Sequence, residues 1–166
     1  MSFKLVSFAF NEGDEIPERH SHKGGNISPP LAWDGAPDQT KSFALLVDDP
    51  DAPSGLFVHW LIYGIVAGTG DLSEGQRGEP GIGPTKQGRN GFGELGYGGP
   101  QPPSGVHRYF FHLYALDTDL DDLKAGATRE QLDQAMRGHI LAEATVMGRY
   151  EHRERQAAPS ASFPGD

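Results

Sequence analysis

Val106-His107-Arg108-Tyr109-Phe110-Phe111-His112-Leu113-Tyr114-Ala115-Leu116 decides the fold, and it ends in the turn residues Asp117-Thr118-Asp119. It is too short and too aromatic to favour a helix, and aromatic side chains suit the half-buried surface of a strand. Lys41-Ser42-Phe43-Ala44-Leu45-Leu46-Val47-Asp48 is an almost unbroken apolar run, as expected of a strand buried on both faces. Phe57-Val58-His59-Trp60-Leu61-Ile62-Tyr63-Gly64-Ile65-Val66 is similar and longer, and Phe3–Phe10 alternates in the same sense. The runs are unevenly spaced, with long loops between them. That spacing predicts a mainly β domain with a Greek-key-like antiparallel core rather than a series of simple hairpins.

One helix is marked. Thr128-Arg129-Glu130-Gln131 fits a capping box, Leu132, Ala135 and Met136 then share one face, and Gly138 is the stop. Beyond it, β-branched Thr145-Val146 predicts a strand from about Ile140 to Tyr150. From Gly68 to Gly105 the chain is mostly Gly, Pro and polar residues, which is uncommon inside a compact domain unless the stretch has a function or is disordered. Its end, Tyr97–Gly105, leads straight into a core strand and is expected to be ordered.

The 166 residues suit one domain, taken as 1–155, followed by a tail 156–166 of Ala, Pro, Ser and Gly that is expected to be mobile. The 23 glycines and 13 prolines cluster between apolar runs, as in a loop-rich globular chain. A net charge of −9 argues against a nucleic-acid binder and against adhesion to an anionic bilayer. Without cysteine there is no disulfide, thiolate zinc site or thiol nucleophile. The N-terminus lacks a basic region followed by an apolar stretch, and no window approaches a membrane span, so a soluble cytoplasmic protein is expected. No phosphate-binding P-loop or dinucleotide fingerprint is present.

Two segments combine turn chemistry with histidine. Asp48-Asp49-Pro50-Asp51-Ala52-Pro53-Ser54-Gly55 precedes His59, and Gly98-Gly99-Pro100-Gln101-Pro102-Pro103-Ser104-Gly105 precedes His107-Arg108-Tyr109. Residues two apart share a face of a strand, so His107 and Tyr109 point together and Arg108 points away. The same rule puts His59 with Leu61 and Tyr63. If the strands are neighbours, one pocket holds Asp49, His59, His107 and Tyr109. Two imidazoles and a phenol can all donate to an oxyanion, and a nearby carboxylate favours the imidazolium form. Exposed amides of the Gly98–Gly99 loop would add donors. His20-Ser21-His22 reads as a solvated loop, and His112, His139 and His152 as structural or exposed.

At these segments the chain resembles the phosphatidylethanolamine-binding protein family, in its bacterial, Raf-kinase-inhibitor-like branch. The resemblance is carried by Asp49-Pro50-Asp51-Ala52-Pro53, Val58-His59-Trp60, and Gly98-Gly99-Pro100 through His107-Arg108-Tyr109. Asn26–Trp33 and Asn90–Tyr97 also match. The resemblance implies a large antiparallel sheet flanked by a smaller one, with one or two short helices. It further implies a pocket for phosphate-like or phospholipid head groups at Asp49, His59, His107 and Tyr109. In that pocket Pro102-Pro103 form part of the rim, Asp51, Gly98 and Gly99 give support, and the Ala52–Pro53 bond is cis. It also implies homodimers, and a chain ending near its last strand without the pocket-covering C-terminal helix of eukaryotic relatives. Gln101 stands where bacterial relatives often carry Cys. Kinase inhibition does not transfer on fold alone.

The leading expectation is therefore a non-enzymatic protein, with no cofactor and no metal, that binds a phosphate-bearing ligand and regulates a partner. Two alternatives use the same residues. A His–Asp pair is suited to activating water in a hydrolase, although no Gly-x-Ser-x-Gly turn is present. Asp49, His59 and His107 are also of metal-ligand type.

Overall fold

A computed structural model describes residues 2–76 and 84–153. The strands are β1 (Lys4–Ser7), β2 (Leu31–Asp34), β3 (Ser42–Asp49), β4 (Phe57–Val66), β5 (Asp71–Leu72), β6 (Lys86–Gln87), β7 (Val106–Leu116) and β8 (Ile140–Glu151), with helix α1 (Arg129–Met136) before β8. They form two antiparallel sheets, one of order β1-β2-β5 and a larger one of order β6-β4-β3-β7-β8. The expected fold class, a large antiparallel sheet flanked by a smaller one, is what the chain adopts. The expected mobile tail, 156–166, lies outside the described residues.

β3 is buried along its whole length because both of its faces are covered. On one face Phe43, Leu45 and Val47 pack with Trp60, Ile62, Phe111 and Leu113 against Leu5, Leu31, Trp33 and Leu72 of the small sheet. On the other face Ala44, Leu46, Leu61 and Tyr63 pack beneath Leu132 and Met136 of α1. Apolar burial on both sides of one sheet, rather than any single contact, holds the three layers together.

α1 begins at the capping box: Gln131 N donates to Thr128 Oγ1 (3.2 Å) and Thr128 N to Gln131 Oε1 (2.9 Å). It ends before Gly138, whose φ of +82° breaks the helix and lets β8 start at Ile140. β1 is half the length expected from Phe3–Phe10. Ser7 Oγ donates to Pro30 O and accepts from Ala9 N, which turns the chain and leaves Phe8 79% exposed. All described peptide bonds are trans, Ala52–Pro53 included, so the cis bond implied by the family resemblance is absent. No helix among the described residues is long and apolar enough to cross a membrane.

Candidate functional site

The site begins with a pairing irregularity. Val47 pairs with Trp60 but Asp48 pairs with Val58, so β4 carries one extra residue, His59. Such a bulge re-aims side chains that strict alternation would send elsewhere. Val58 packs on the α1 side and Trp60 on the small-sheet side, while His59 lies edge-on to Tyr109 with ring centroids 5.0 Å apart. The expectation that His59 shares a face with Leu61 and Tyr63 is thus overturned: the bulge turns His59 toward Tyr109. A second shift between Phe43 and Leu45, near Gly64 at φ +68°, adds another residue to β4 and keeps Ile65 in the same core as Trp60.

From β7, His107 and Tyr109 point the same way, as expected, with centroids 6.4 Å apart. The two imidazoles therefore flank one phenol. β3 stops pairing with β7 at Asp48↔Phe110, and Asp49 then reaches His107. His107 Nδ1–H donates to Asp49 Oδ2 over 2.6 Å, and Asp49 Oδ1 accepts from Asp51 N at 2.8 Å. Asp49 is fully buried, and a carboxylate so placed needs such donors to offset its desolvation. Asp51 in turn takes three donors from Arg108: backbone N at 2.9 Å, Nε at 2.9 Å and Nη2 at 2.8 Å. These bonds from the Arg108 side chain hold the Asp51 carboxyl down at about 2. Asp51 thus ties the loop after β3 to β7.

His59 Nδ1 lies 2.6 Å from Gly98 O, an acceptor only, so this nitrogen carries a proton. A protein group at Nδ1 thus fixes the orientation of each ring. Burial is deep, at 1% exposure for His59, 6% for His107 and 1% for Tyr109. Pro102 is buried, its carbonyl accepting from His152 Nδ1 at 3.0 Å, whereas Pro103 is exposed.

The expected donation by the glycine amides does not hold. Gly98 N donates to His59 O (2.8 Å) and Gly99 N to Asn26 Oδ1 (2.7 Å), so both amides are spent on the fold. The two glycines serve close packing instead. A Cβ on Gly99 would sit 2.2 Å from His20 O, and one on Gly98 would sit 2.5 Å from the Phe92 ring. His20-Ser21-His22 is likewise not a solvated loop. His20 is 0% exposed, Nδ1 lies 2.7 Å from Ile27 O, and its carbonyl accepts from Tyr97 Oη at 2.6 Å. Burial pulls the His20 imidazole below its usual value.

Sequence reasoning missed the aromatic wall beside His59. Phe57 and Phe92 lie 4.9 and 5.7 Å from its ring, and His22 lies 4.5 Å from Phe92. Phe57 carried a signal, since it stands two residues before His59, whereas His22 and Phe92 are distant in the chain. The remaining histidines match their structural reading: His112 bridges Asp48 and Glu143 on the opposite face, and His139 pairs with Asp117 at the surface. Among the described residues no three His, Asp or Glu side chains are grouped to hold a metal ion. Asp49 and His107 instead bond one another.

Comparison with known proteins agrees with this fold. A family model described as phosphatidylethanolamine-binding protein matches residues 6–151. A UPF0098 protein of Methanothermobacter thermautotrophicus is 52% identical over 151 residues, covering 88% of this chain and 97% of the relative. A Chlamydia trachomatis crystal structure, described as a homologue of phosphatidylethanolamine-binding protein, superposes with a TM-score of 0.84 at 42% identity, covering 92% of this chain and 99% of that one. Escherichia coli YbcL, described as a new member of the mammalian family, gives 0.85 at 32% identity, covering 92% and 100%.

Proposed function

The chain belongs to the phosphatidylethanolamine-binding protein family, and on that premise we propose that it is a non-enzymatic binding protein for phosphate-bearing ligands, free or as lipid head groups. The observation that carries the reading is the placement of two imidazoles, from β4 and β7, on either side of Tyr109. In each ring the protein fixes Nδ1, and both rings lie against the Tyr109 phenol. This is a local anion site within an acidic protein, built from fixed donors rather than net charge. The hydrolase alternative, in which the Asp49–His107 pair activates water, uses the same residues, and simple binding needs fewer groups than turnover. Regulation of a partner protein through the occupied pocket and pairing as a homodimer belong to the same proposal, as the family branch implies. A cytoplasmic location is part of the same proposal.

Calorimetric titration with inorganic phosphate tests the reading. His59→Ala and His107→Ala are each expected to weaken binding on the order of 10-fold or more, with far-UV circular dichroism unchanged. Unchanged affinity in both variants refutes it. Release of alcohol or phosphate from aryl esters or aryl phosphates, abolished in His107→Ala, would favour the hydrolase.

A further inference from the structure

His20 is a titratable group outside the anion site, and it is wholly buried at 0% exposure. It closes the 3-10 turn Glu18–His20, and Ser21 then folds the chain back. Ser21 N and Oγ donate to Glu18 O at 2.9 and 2.7 Å, and Ser21 O accepts from Asn26 N at 2.8 Å. Nδ1 of His20 lies 2.7 Å from Ile27 O, which can only accept, so this nitrogen carries the proton of the neutral ring. Nε2 then presents a lone pair, and it has no hydrogen-bond partner among the described residues. Glu74 Oε1 stands 3.7 Å away and is already bonded by Arg19 Nη2 at 2.7 Å.

This turn supports the glycine segment beside the site. Tyr97 Oη donates to His20 O at 2.6 Å, Gly99 N to Asn26 Oδ1 at 2.7 Å and His22 N to Pro100 O at 3.0 Å. Between those contacts stands Gly98, whose carbonyl fixes His59 Nδ1 at 2.6 Å. A second proton on His20 puts a charged N–H in a fully buried place with no acceptor in hydrogen-bond reach. Charge therefore favours any arrangement that gives the ring water, and the contacts to 97–100 must part to allow it. Burial is the largest influence on the ring and works against the charged form; Arg19, from its own turn, adds to it, while the Ile27 carbonyl and Glu74, from the loop after β5, oppose it without reversing it. Tyr97 faces the His20 carbonyl and stays neutral, its phenol pushed up by burial.

We infer that His20 is an acid-operated latch on the anion site: a second proton on its ring favours release of the turn 18–27 from the segment 97–100, and with it loss of the Gly98 carbonyl that aligns His59, so that acid and phosphate act in opposition on one local opening. The inference rests on the phosphate-binding reading above and adds its regulation. Because the latched value lies below the ordinary one, the latch holds fully above about pH 6.5 and loosens as pH falls, by up to about 10-fold in the opening equilibrium per pH unit.

The test reads hydrogen-exchange protection of the Gly99 and His22 amides by NMR at about pH 7.5 and 5.0, with the Leu113 amide of β7 as the core reference. In the wild type, protection at Gly99 and His22 is expected to drop about 10-fold more than at Leu113. His20→Asn keeps a donor toward Ile27 O and does not titrate, and its drop is expected to stay within about twofold of the reference. Glu74→Gln removes the carboxylate that favours the charged ring, so its drop is expected to exceed the wild-type one, which keeps the test decisive should His20→Asn fail to fold. Inorganic phosphate at about ten times its dissociation constant, at pH 7.5, is expected to raise protection at Gly99 about 10-fold. A drop that persists in His20→Asn, that is smaller in Glu74→Gln than in the wild type, or that is equal at Leu113 overturns the inference, as does phosphate that binds and leaves Gly99 unchanged. Failure of phosphate to bind at all refutes the pocket reading and the opposition by phosphate, while the acid response at Gly99 still decides the latch.

Discussion

Asp49→Asn separates two opposing electrostatic effects. The carboxylate repels a bound phosphate directly, yet it also orients the His107 ring through the bond at Nδ1. Adding the 2.6 Å Asp49–His107 bond, the width of the ring and one further hydrogen bond puts the carboxylate about 7 Å from a ligand oxygen held at Nε2. At an effective dielectric constant near 20, relief of that repulsion is worth roughly 2.4 kcal/mol, which salt screens to about half at this distance, against roughly 1.5–3 kcal/mol for a hydrogen bond from a correctly oriented Nε2 to the charged ligand. The oriented bond outweighs the repulsion, so the variant is expected to bind phosphate more weakly, by about 3-fold or more. Asn replaces one carboxylate oxygen by an NH2 group, so it can accept from His107 Nδ1–H or from Asp51 N but not from both. Loss of one charge-assisted buried bond costs the fold about 1.5–3 kcal/mol. The assay pairs calorimetric titration of inorganic phosphate at pH 6.5 with urea unfolding, so that any affinity is read on folded protein. Affinity equal to or above wild type, in a variant that unfolds at lower urea, would refute the assignment of the oriented His107 ring as the phosphate's partner.

Two further outcomes follow from the same geometry. Gly99→Ala places a Cβ where the His20 carbonyl stands, 2.2 Å away, and backbone cannot swing aside as a flexible side chain can. A loss of about 1–3 kcal/mol by urea unfolding, together with weakened phosphate binding, is expected; wild-type stability would contradict the close approach. For His112, burial pulls the imidazole down, but the carboxylates of Asp48 and Glu143 outweigh it and the net shift is upward. Because the folded value is raised, its contribution to stability is complete below about 6.5 and is lost as pH rises through the folded value. Urea midpoints from pH 5.5 to 8.5 should therefore fall less steeply in His112→Gln than in wild type, and parallel profiles would count against the bridge.

Much of the architecture is legible along the chain because it depends on local chemistry. The aromatic run at 106–116 can satisfy its backbone and bury its rings only as a strand, and it is one throughout. Thr128 and Gln131 cap the helix within four residues, and Gly138 releases it, so both ends of α1 can be read without tertiary knowledge. The alternation of His107, Arg108 and Tyr109 survives because β7 pairs without a shift over those residues. At Phe3–Phe10 the same reasoning overreached, since Ser7 finds a carbonyl at Pro30, a partner 23 positions away.

His59 marks the boundary between the two kinds of information. Its identity, its place in an apolar strand and its companions at Asp49, His107 and Tyr109 were visible as residue types and spacings. Its direction was not, because a bulge belongs to the register between β3 and β4 and not to either strand alone. The same holds for Gly98 and Gly99, whose missing side chains make room for the Phe92 ring and the His20 carbonyl brought in from elsewhere in the chain. Hydrophobic pattern and turn chemistry act over a few residues and specify the elements. Which way an extra residue faces, and which buried polar group goes unpaired, is settled only when distant segments compete for the same volume and the same hydrogen bonds.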